Sequence, residues 1–396
     1  MSRYARRREP NVRRKQRIEL ENINVPLRAV LVGIAILIAA LAFGSIVNQW
    51  LTVKTGWQEI EAANPKTPAH QSFSFSYCLG AGEQSARAEL RAVTALYTEA
   101  LDDAFRALSG EETEGVSNLY TLNRHPNEDI QVHPLLYDAF ETLEETDSRY
   151  AYLAPMMEQY TALFACTYDE EAELYDPTRN ADAREYIDEM AAFALDPYAV
   201  RVKLLPDSTL RLEVSDDYLK FARENEIEAF VDLGILRNAF LCDAAADALL
   251  AQGYERGVVS SLDGFTRNLS SEEFSLNLFD LTDGKVTNPG AVGYTAPAAL
   301  AAMRAFPTSA SDQLNYYVYS DGAVVVPYLN TYGLAHAEVS FLACLSVEES
   351  AANLAIRALD AYTGGDRTFA ALDDLSWVSV DRGEVTLHGT QLHMVQ

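Results

Sequence analysis

The stretch FVDLGILRNAFLCDAAADALLAQGYERGVVSSLDG, residues 230–264, decides the fold of this chain. An apolar run that ends at Asp232-Leu233-Gly234 predicts a strand that leads directly into a helix, and Gly253 predicts the end of that helix before another strand and a turn. A glycine at such a junction lets the backbone approach a ligand, and the free N–H groups of the following helix N-terminus suit a phosphate. The same pattern is typical of an ordinary strand-to-helix turn, so geometry alone leaves both interpretations open.

Helices and strands mix without strict alternation along the rest of the chain. Helical spacing of apolar residues predicts helices at 84–108, 134–145, 150–165, 182–194, 237–252, 297–305 and 348–362. Strand patterns are found at 73–80, 228–233, 257–261, 274–280, 314–320, 323–327, 336–345, 376–380 and 385–388. Hairpin patterns surround Pro206-Asp207-Ser208 and Asp321-Gly322. These hairpin links favour an α+β fold over a doubly wound parallel sheet.

Charge is distributed unevenly along the 396 residues, of which 48% are hydrophobic and 22% charged, as in an ordinary folded protein. Residues 1–28 hold nine basic and three acidic side chains, and the whole chain carries a net charge of −27. The head is therefore +6 and the remainder −33. Because phosphate binding needs clustered Lys and Arg, this acidic body argues against a nucleic-acid partner.

An uncharged apolar run, residues 29–47, follows the basic head. At a rise of about 1.5 Å per residue such a helix crosses the hydrocarbon core of a bilayer. Trp50 and Trp57 follow the run, where indole rings favour the headgroup zone. We therefore predict a single-pass cell-membrane protein with a transmembrane helix over 29–50. The alternatives are a buried core helix, which rarely follows a dense basic block, and a cleaved signal peptide, whose apolar region is usually shorter.

The sequence divides into four predicted parts. By the positive-inside rule residues 1–28 form a cytoplasmic head, followed by the membrane helix 29–50. Residues 51–70 are polar, contain two prolines and lack a clear period, which predicts a spacer. Residues 71–396 then form the extracytoplasmic domain.

The four cysteines lie far apart, which excludes a Cys-x-x-Cys zinc site. Outside the cytoplasm two disulfides could form, but each cysteine lies in an apolar run typical of buried free thiols. The four are Cys78, Cys166, Cys242 and Cys344. The sequence also lacks a Gly-x-Ser-x-Gly elbow, a His-Glu-x-x-His motif and a Walker loop, which argues against serine and zinc hydrolases.

The stretch that begins at Asp232 resembles the ApbE-type flavin transferases, FAD:protein FMN transferases, whose motif reads Asp-Leu-Gly-Gly-Ile-Ala-Lys-Gly-Tyr-Ala-Val-Asp. Asp232-Leu233-Gly234 and Asp243 match its ends, with Phe240 in place of the tyrosine. Residues 117–123 and the helix after them resemble the family's Ser-Glu-Ile-Ser-x-Leu-Asn segment, and Thr308-Ser309 resembles its Thr-Ser-Gly. The resemblance covers about 71–390 and implies an ApbE-like fold with FAD as ligand. The cofactor-binding positions it implies are Asp232, Gly234, Asn238, Asp243, Thr308 and Ser309.

Several motif positions depart from the family pattern. Ile235 replaces the second glycine, Asn238 the lysine and Ala239 the last glycine. The family's Gly-Gly-Asp has become Leu262-Asp263-Gly264, and Val324-Val325-Val326-Pro327 lacks the histidine and acid of His-Ile-Ile-Asp-Pro. Large side chains take space that a ligand would use, so Ile235 and the valines at 324–326 threaten the flavin cleft. The cleft that they and Asn238 line is predicted to be either open or filled.

The departures extend to the magnesium site that the resemblance implies. The family's Ala-Asp-x-x-x-Thr helix matches Asn353 and Arg357, and an arginine cannot ligate magnesium. We therefore expect no catalytic magnesium there. Arg357 either takes the place of the cation against a diphosphate or is an ordinary helix residue.

Two functions remain open on the sequence. The favoured one is a degenerate flavin transferase that acts as a binding or scaffold module, with a protein partner at the outer membrane face. The alternative is an active FAD:protein FMN transferase that attaches FMN to a threonine of a partner. The alternative requires a carboxylate such as Asp263 or Asp360 to rebuild the metal site.

Overall fold

The computed structural model describes residues 53–308 and 315–395. The chain divides into two compact units, Met1–Val53 and Lys54–Gln396, and the elements below belong to the second. The predicted membrane helix 29–50, the basic head and Ser309 lie outside the described residues. Within the described residues, none of the helices has the length and apolar character needed to cross a bilayer.

The strands that the structure describes are β1 Gly56–Glu59, β2 Phe73–Leu79, β3 Asp129–Gln131, β4 Val200–Leu205, β5 Thr209–Val214, β6 Gly257–Ser261, β7 Phe265–Asn268, β8 Glu273–Asn277, β9 Asp280–Thr282, β10 Lys285–Thr287, β11 Ala291–Thr295, β12 Ala298–Arg304, β13 Tyr317–Val318, β14 Val324–Val325, β15 Phe341–Ser346, β16 Ser376–Asp381, β17 Glu384–His388 and β18 Leu392–Met394. The helices are α1 Ala86–Ala107, α2 Leu119–Arg124, α3 Pro134–Glu145, α4 Ala154–Ala165, α5 Asp169–Ala172, α6 Ala181–Leu195, α7 Asp216–Glu224, α8 Arg237–Leu250 and α9 Ala351–Thr363. Short 3-10 turns occupy Ala69–Ser72, Tyr150–Leu153, Gly234–Leu236 and Ala370–Leu372.

A large antiparallel sheet forms the centre of the body. Within the described residues its order is β1-β2-β6-β7-β12-β15-β16-β17. Helix α8 packs on β6 and β7, α9 packs on β12 and β15, and α1 packs on α8. The α8 sequence supplies small residues such as Ala245 and Ala246 to this contact, and both are fully buried. Mixed helix and sheet in layers confirm the predicted α+β class.

A smaller sheet, β18-β11-β8, covers part of the large sheet through a shared apolar cluster. The cluster includes Val292 and Tyr294 from the small sheet and Leu300, Phe341 and Val378 from the large one. A third sheet has the order β3-β5-β4. Its strands and most of the helices lie in the chain segment between β2 and β6, which is an insertion between two neighbouring strands of the large sheet.

One predicted helix is wrong. Residues 297–305 read as a helix because Ala and Met are good helix formers, but the structure has strand β12 there. This strand pairs with β7 on one side and β15 on the other. Its first four residues are all buried, so the tertiary environment of a central strand overrides local propensity.

The predicted spacer at 51–70 belongs largely to the folded body. Strand β1 pairs with β2 at the sheet edge, and Ala69–Ser72 forms a 3-10 turn. Asp102 on α1 accepts hydrogen bonds from the Lys66 and Thr67 N–H groups, both at 2.8 Å. The prolines and polar residues of this segment therefore belong to a stretch of chain that is hydrogen-bonded to α1. The compact unit begins at Lys54.

The four cysteines are free thiols, as the apolar runs around them indicate. Cys242 and Cys344 are fully buried, while Cys78 and Cys166 are half-buried.

Candidate functional site

A cavity of about 640 Å³ lies beside the junction that the sequence singles out. This volume is in the range of small-molecule sites. Its walls come from the segments 120–124, 150–164, 228–238 and 315–329, together with Asp263 and Arg304. Of the two alternatives predicted for the cleft, open or filled, the structure has the open one. Ile235 lines the cavity without closing it, and the described lining includes Pro327 to Leu329 instead of the valines at 324–326.

The segment before Gly234 is not the strand predicted at 228–233. The Asn123 side chain occupies its hydrogen-bonding groups, accepting from the N–H groups of Phe230 at 2.9 Å and Val231 at 3.1 Å and donating to the Val231 carbonyl at 2.8 Å. The Asp232 N–H donates to the Ala151 carbonyl at 2.8 Å. A buried amide thus replaces a neighbouring strand, and the segment from 117–123 is joined to the cavity wall.

Asp232 and Gly234 form a tight turn at the wall. The Gly234 N–H donates to Asp232 Oδ1 at 2.5 Å. Gly234 has φ +52°, and a Cβ there would lie 2.6 Å from Met157 Sδ and 3.2 Å from the Tyr150 hydroxyl oxygen. The glycine is needed both for its backbone conformation and for the close approach of neighbouring side chains.

Helix α8 begins at this turn and presents Arg237 and Asn238 to the cavity. The Asn238 amide donates to Asp263 Oδ2 at 2.8 Å. Burial raises the pKa of Asp263 above its ordinary value. The Arg237 guanidinium lies 5.3 Å from the centre of the Phe105 ring. This wall therefore combines an amide, a carboxyl and a cation.

Another part of the wall is rich in tyrosine. The Tyr328 hydroxyl accepts from the Arg304 N–H at 3.1 Å, and the Tyr316 hydroxyl donates to the Arg304 carbonyl at 3.0 Å. These bonds hold the segment 315–329 against the end of β12. Burial raises the pKa of Tyr150, Tyr316 and Tyr328, so these phenols at the cavity are neutral.

The structure brings Asp232, Gly234 and Asn238 together at the cavity. Asp243 lies elsewhere. Its carboxylate accepts from the N–H groups of Ala351 at 2.9 Å and Ala352 at 2.8 Å and pairs with Arg267. Asp243 thus caps helix α9 and fixes it to α8, which is a structural task.

Thr308 is not among the described residues that line the cavity. Its hydroxyl accepts from Arg304 Nη1 at 2.6 Å, and Arg304 itself lines the cavity. The remaining predicted position, Ser309, falls outside the residues that the structure describes.

Arg357 does not face the cavity. Its guanidinium pairs with Glu349 and Asp374 and donates to the Ala371 carbonyl at 3.2 Å. Asn353 is in the first turn of α9, where its N–H donates to the Ser350 hydroxyl at 3.1 Å. These contacts favour the ordinary structural interpretation of Arg357 over the hypothesis that it holds a diphosphate.

Two cavity residues, Arg237 and Arg304, were not identified as site residues from the sequence. Arg237 is the one cation between residues 230 and 255, a signal visible in the sequence beside the Asp-Leu-Gly turn. Arg304 lies at the end of a segment whose sequence predicts a helix. Its position at the end of a strand beside the cavity therefore could not be predicted from the sequence.

No family model matches the sequence, and no curated protein matches it. Solved structures do match. The ApbE protein of Thermotoga maritima aligns with a TM-score of 0.53 at 15% identity, covering 80% of this chain and 93% of that one. The flavin transferase ApbE of Vibrio cholerae aligns with a TM-score of 0.53 at 13% identity, covering 84% and 97%. The flavinyl transferase ApbE of Pseudomonas stutzeri, in its apo form, aligns with a TM-score of 0.51 at 11% identity, covering 85% of this chain and 94% of that one.

These likenesses span nearly the full length of the solved structures and most of this chain. At such low identities they concern the backbone arrangement and leave the chemistry of individual side chains to be argued from this chain. The chain is therefore a divergent protein with the fold of the ApbE flavin transferases.

Proposed function

We propose that this chain is a membrane-anchored, extracytoplasmic ApbE-like domain that binds a flavin nucleotide without metal-dependent transfer. One observation carries the proposal: the cavity is open and retains the Asp232-Gly234 turn and the polar Asn238 at its wall. A planar ring system fits against the tyrosines, and a phosphate fits near the arginines. The structural likeness to the flavin transferase ApbE of Vibrio cholerae supports a flavin as ligand.

The residues at the positions implied for magnesium do not fit that ion. Magnesium takes oxygen ligands in an octahedral arrangement, whereas Asn353 and Arg357 supply one amide and one cation. Across the described residues no group of three or more His, Cys, Asp or Glu side chains could hold a metal. Since diphosphate cleavage needs the developing charge to be neutralised, we propose that transfer is weak or lost.

A rebuilt metal site is less well supported. Asp263 lines the cavity but already accepts the hydrogen bond from Asn238. Asp360 lies on α9 and is not among the described residues that form the cavity wall. An active transferase that attaches FMN to a threonine of a partner is therefore the second outcome of the test below.

The membrane anchor rests on the sequence. The basic head and the apolar run support a single span with the body outside the cytoplasm, and the acidic body supports a protein partner there, not a nucleic acid. Alkaline phosphatase fused after Gln396 is expected to be active in a bacterial host, and green fluorescent protein at the same place is expected to be dark. The reverse pattern would contradict the orientation.

The binding proposal is tested by FAD titration of the full-length protein in detergent, with either magnesium or a chelator present. Calorimetry measures the affinity, and chromatography of the supernatant measures release of AMP. Binding in both conditions with no AMP supports the proposal. AMP release that requires magnesium, together with flavin bound covalently to an added threonine peptide, supports the transferase instead. Absence of binding at millimolar FAD overturns both.

A further inference from the structure

Two polar atoms at the cavity wall lack a partner. The Nε of Arg237 and the Oδ1 of Asp263 are enclosed and make no hydrogen bond within the described residues. Both residues line the cavity. Buried polar groups are almost always paired, and an unpaired one costs about 1–3 kcal/mol. One wall thus contains an unpaired donor on Arg237 and an unpaired acceptor on Asp263, which favours a ligand that brings partners to this wall.

The carboxyl of Asp263 is held in place. Its other oxygen, Oδ2, accepts from the Asn238 amide at 2.8 Å, which fixes the plane of the group, and Oδ1 has no hydrogen-bond partner within the described residues. A ring N–H or an exocyclic amine of a ligand supplies the matching donor.

The guanidinium of Arg237 differs in its partners from the guanidinium groups of the other arginines that line the cavity. Arg124 pairs with Glu228 at 2.8 Å, and Arg304 donates to Thr308 at 2.6 Å. Arg237 has neither a salt bridge nor a hydrogen bond in the part of the chain that the structure describes, and its guanidinium lies over the ring of Phe105. A fork of N–H donors without a carboxylate is suited to a phosphate.

Burial raises the pKa of Asp263, and the charge of Arg237 lowers it to a smaller extent. The two groups are also joined through the backbone, since Asn238 follows Arg237 at the start of α8. A ligand that meets both must carry an anion and an N–H donor together.

We propose that Arg237 and Asp263 form a donor–acceptor pair that recognises a phosphorylated N-heterocycle, with the guanidinium holding the phosphate in place of a metal ion. The pair rests on the proposed function and specifies it: the ligand is a nucleotide, and its phosphate is held by a side chain of this protein. Affinity is therefore independent of magnesium, and the phosphate-free flavin is held more weakly.

The test is calorimetry on the full-length protein in detergent with a chelator present, using FAD, ADP and riboflavin as probes. Arg237→Ala is expected to weaken FAD and ADP by at least about tenfold, the loss of one charge-assisted hydrogen bond, and to leave riboflavin unchanged. Arg237→Lys, which keeps the charge without the fork, is expected to fall between. Arg223→Ala, at an exposed position on α7, is the matched control and is expected to bind as the wild type does.

The results separate this inference from the proposed function. If the wild type binds FAD but Arg237→Ala and Arg237→Lys bind it equally well, the proposed role of Arg237 and Asp263 is wrong, while the proposed function of flavin binding is supported. A requirement for magnesium in FAD binding also overturns the pair. If the wild type binds no FAD, the proposed function fails and the pair fails with it. Thermal melting of each variant establishes that it is folded before its affinity is compared.

Discussion

The Asn238 amide donates a 2.8 Å hydrogen bond to the Asp263 carboxylate, 25 residues further along the chain. Asn238 lies in the first turn of α8, and Asp263 lies in the turn between β6 and β7. The bond joins two parts of the stretch that decides the fold, the start of α8 and the turn before β7, and both residues line the cavity. A polar contact here serves the ligand site at some cost in stability, because a carboxyl is held away from water.

The first prediction concerns that cost. Burial raises the pKa of Asp263 in the folded state, so between the unfolded value of about 3.9 and the raised value the folded protein binds more protons. Stability therefore falls as pH rises through this window. Asp263→Asn removes the titration and keeps the shape, so the variant is expected to melt at a higher temperature than the wild type at pH 7.

Melting curves from pH 4 to pH 8 check this prediction. The gap between Asp263→Asn and the wild type is expected to shrink as pH falls toward 4. A gap that does not change with pH would show that the carboxyl is not destabilised by burial.

The second prediction concerns Gly234. In Gly234→Ala the new Cβ meets Met157 Sδ at 2.6 Å and the residue also has φ +52°. We expect a loss of about 2–4 kcal/mol in the free energy of unfolding, from backbone strain and overpacking together. We also expect weaker FAD binding, because the cavity wall is displaced.

Gly253→Ala is the matched control, since Gly253 has φ +78° but no atom lies within 4 Å of the position that its new Cβ would take. It is expected to lose only the strain contribution, about 1 kcal/mol, and to keep its FAD affinity. Chemical denaturation measures both variants, and equal losses would show that close approach at Gly234 does not matter.

The third prediction separates structure from ligand binding at Asp243. Asp243→Asn weakens the pair with Arg267 and the cap of α9, and it is expected to cost about 3–5 kcal/mol because a buried cation loses its partner. Asp247→Asn, which faces the same arginine at 3.5 Å, is the control. The Asp243 side chain is 13% exposed and that of Asp247 is 65% exposed, so the control is expected to cost less than about 1 kcal/mol.

FAD affinity below the melting temperature is the second measurement on Asp243→Asn. We expect it to stay within about twofold of the wild type, since the carboxylate lies outside the cavity. A large loss of affinity in the folded variant would instead favour the ligand-binding role that the motif implies.

Asp243 also shows where sequence patterns reach their limit. Motif spacing identified the turn at Asp232 and Gly234, because backbone conformation and close approach restrict which residues fit there. The same spacing cannot distinguish a carboxylate that faces a ligand from one that caps a helix 108 residues away. That distinction depends on where α9 packs, which is set by long-range contacts.

Strand β12 and the segment 228–233 illustrate the same limit for the fold. The alanines of β12 favour a helix locally, and only its place between β7 and β15 makes it a strand. In 228–233 the residues are apolar enough for a strand, yet Asn123, far away in sequence, takes up their backbone groups. Periodic amphipathic helices such as α1 and α3 were predicted well because one face is buried whatever its partner.

The last prediction concerns Arg357, which bridges Glu349 and Asp374 and is not among the described residues that line the cavity. Arg357→Ala is expected to leave FAD affinity unchanged and to lower the free energy of unfolding by about 1–3 kcal/mol, because half-buried Glu349 loses its partner. Arg184→Ala removes an exposed pair with Asp188 on α6 and is expected to cost about 0.3–0.5 kcal/mol. Calorimetry with FAD and urea denaturation measure the two quantities on both variants. If folded Arg357→Ala bound FAD more weakly while Arg184→Ala bound it normally, Arg357 would be part of the ligand site. That result would contradict the position of α9 in this structure.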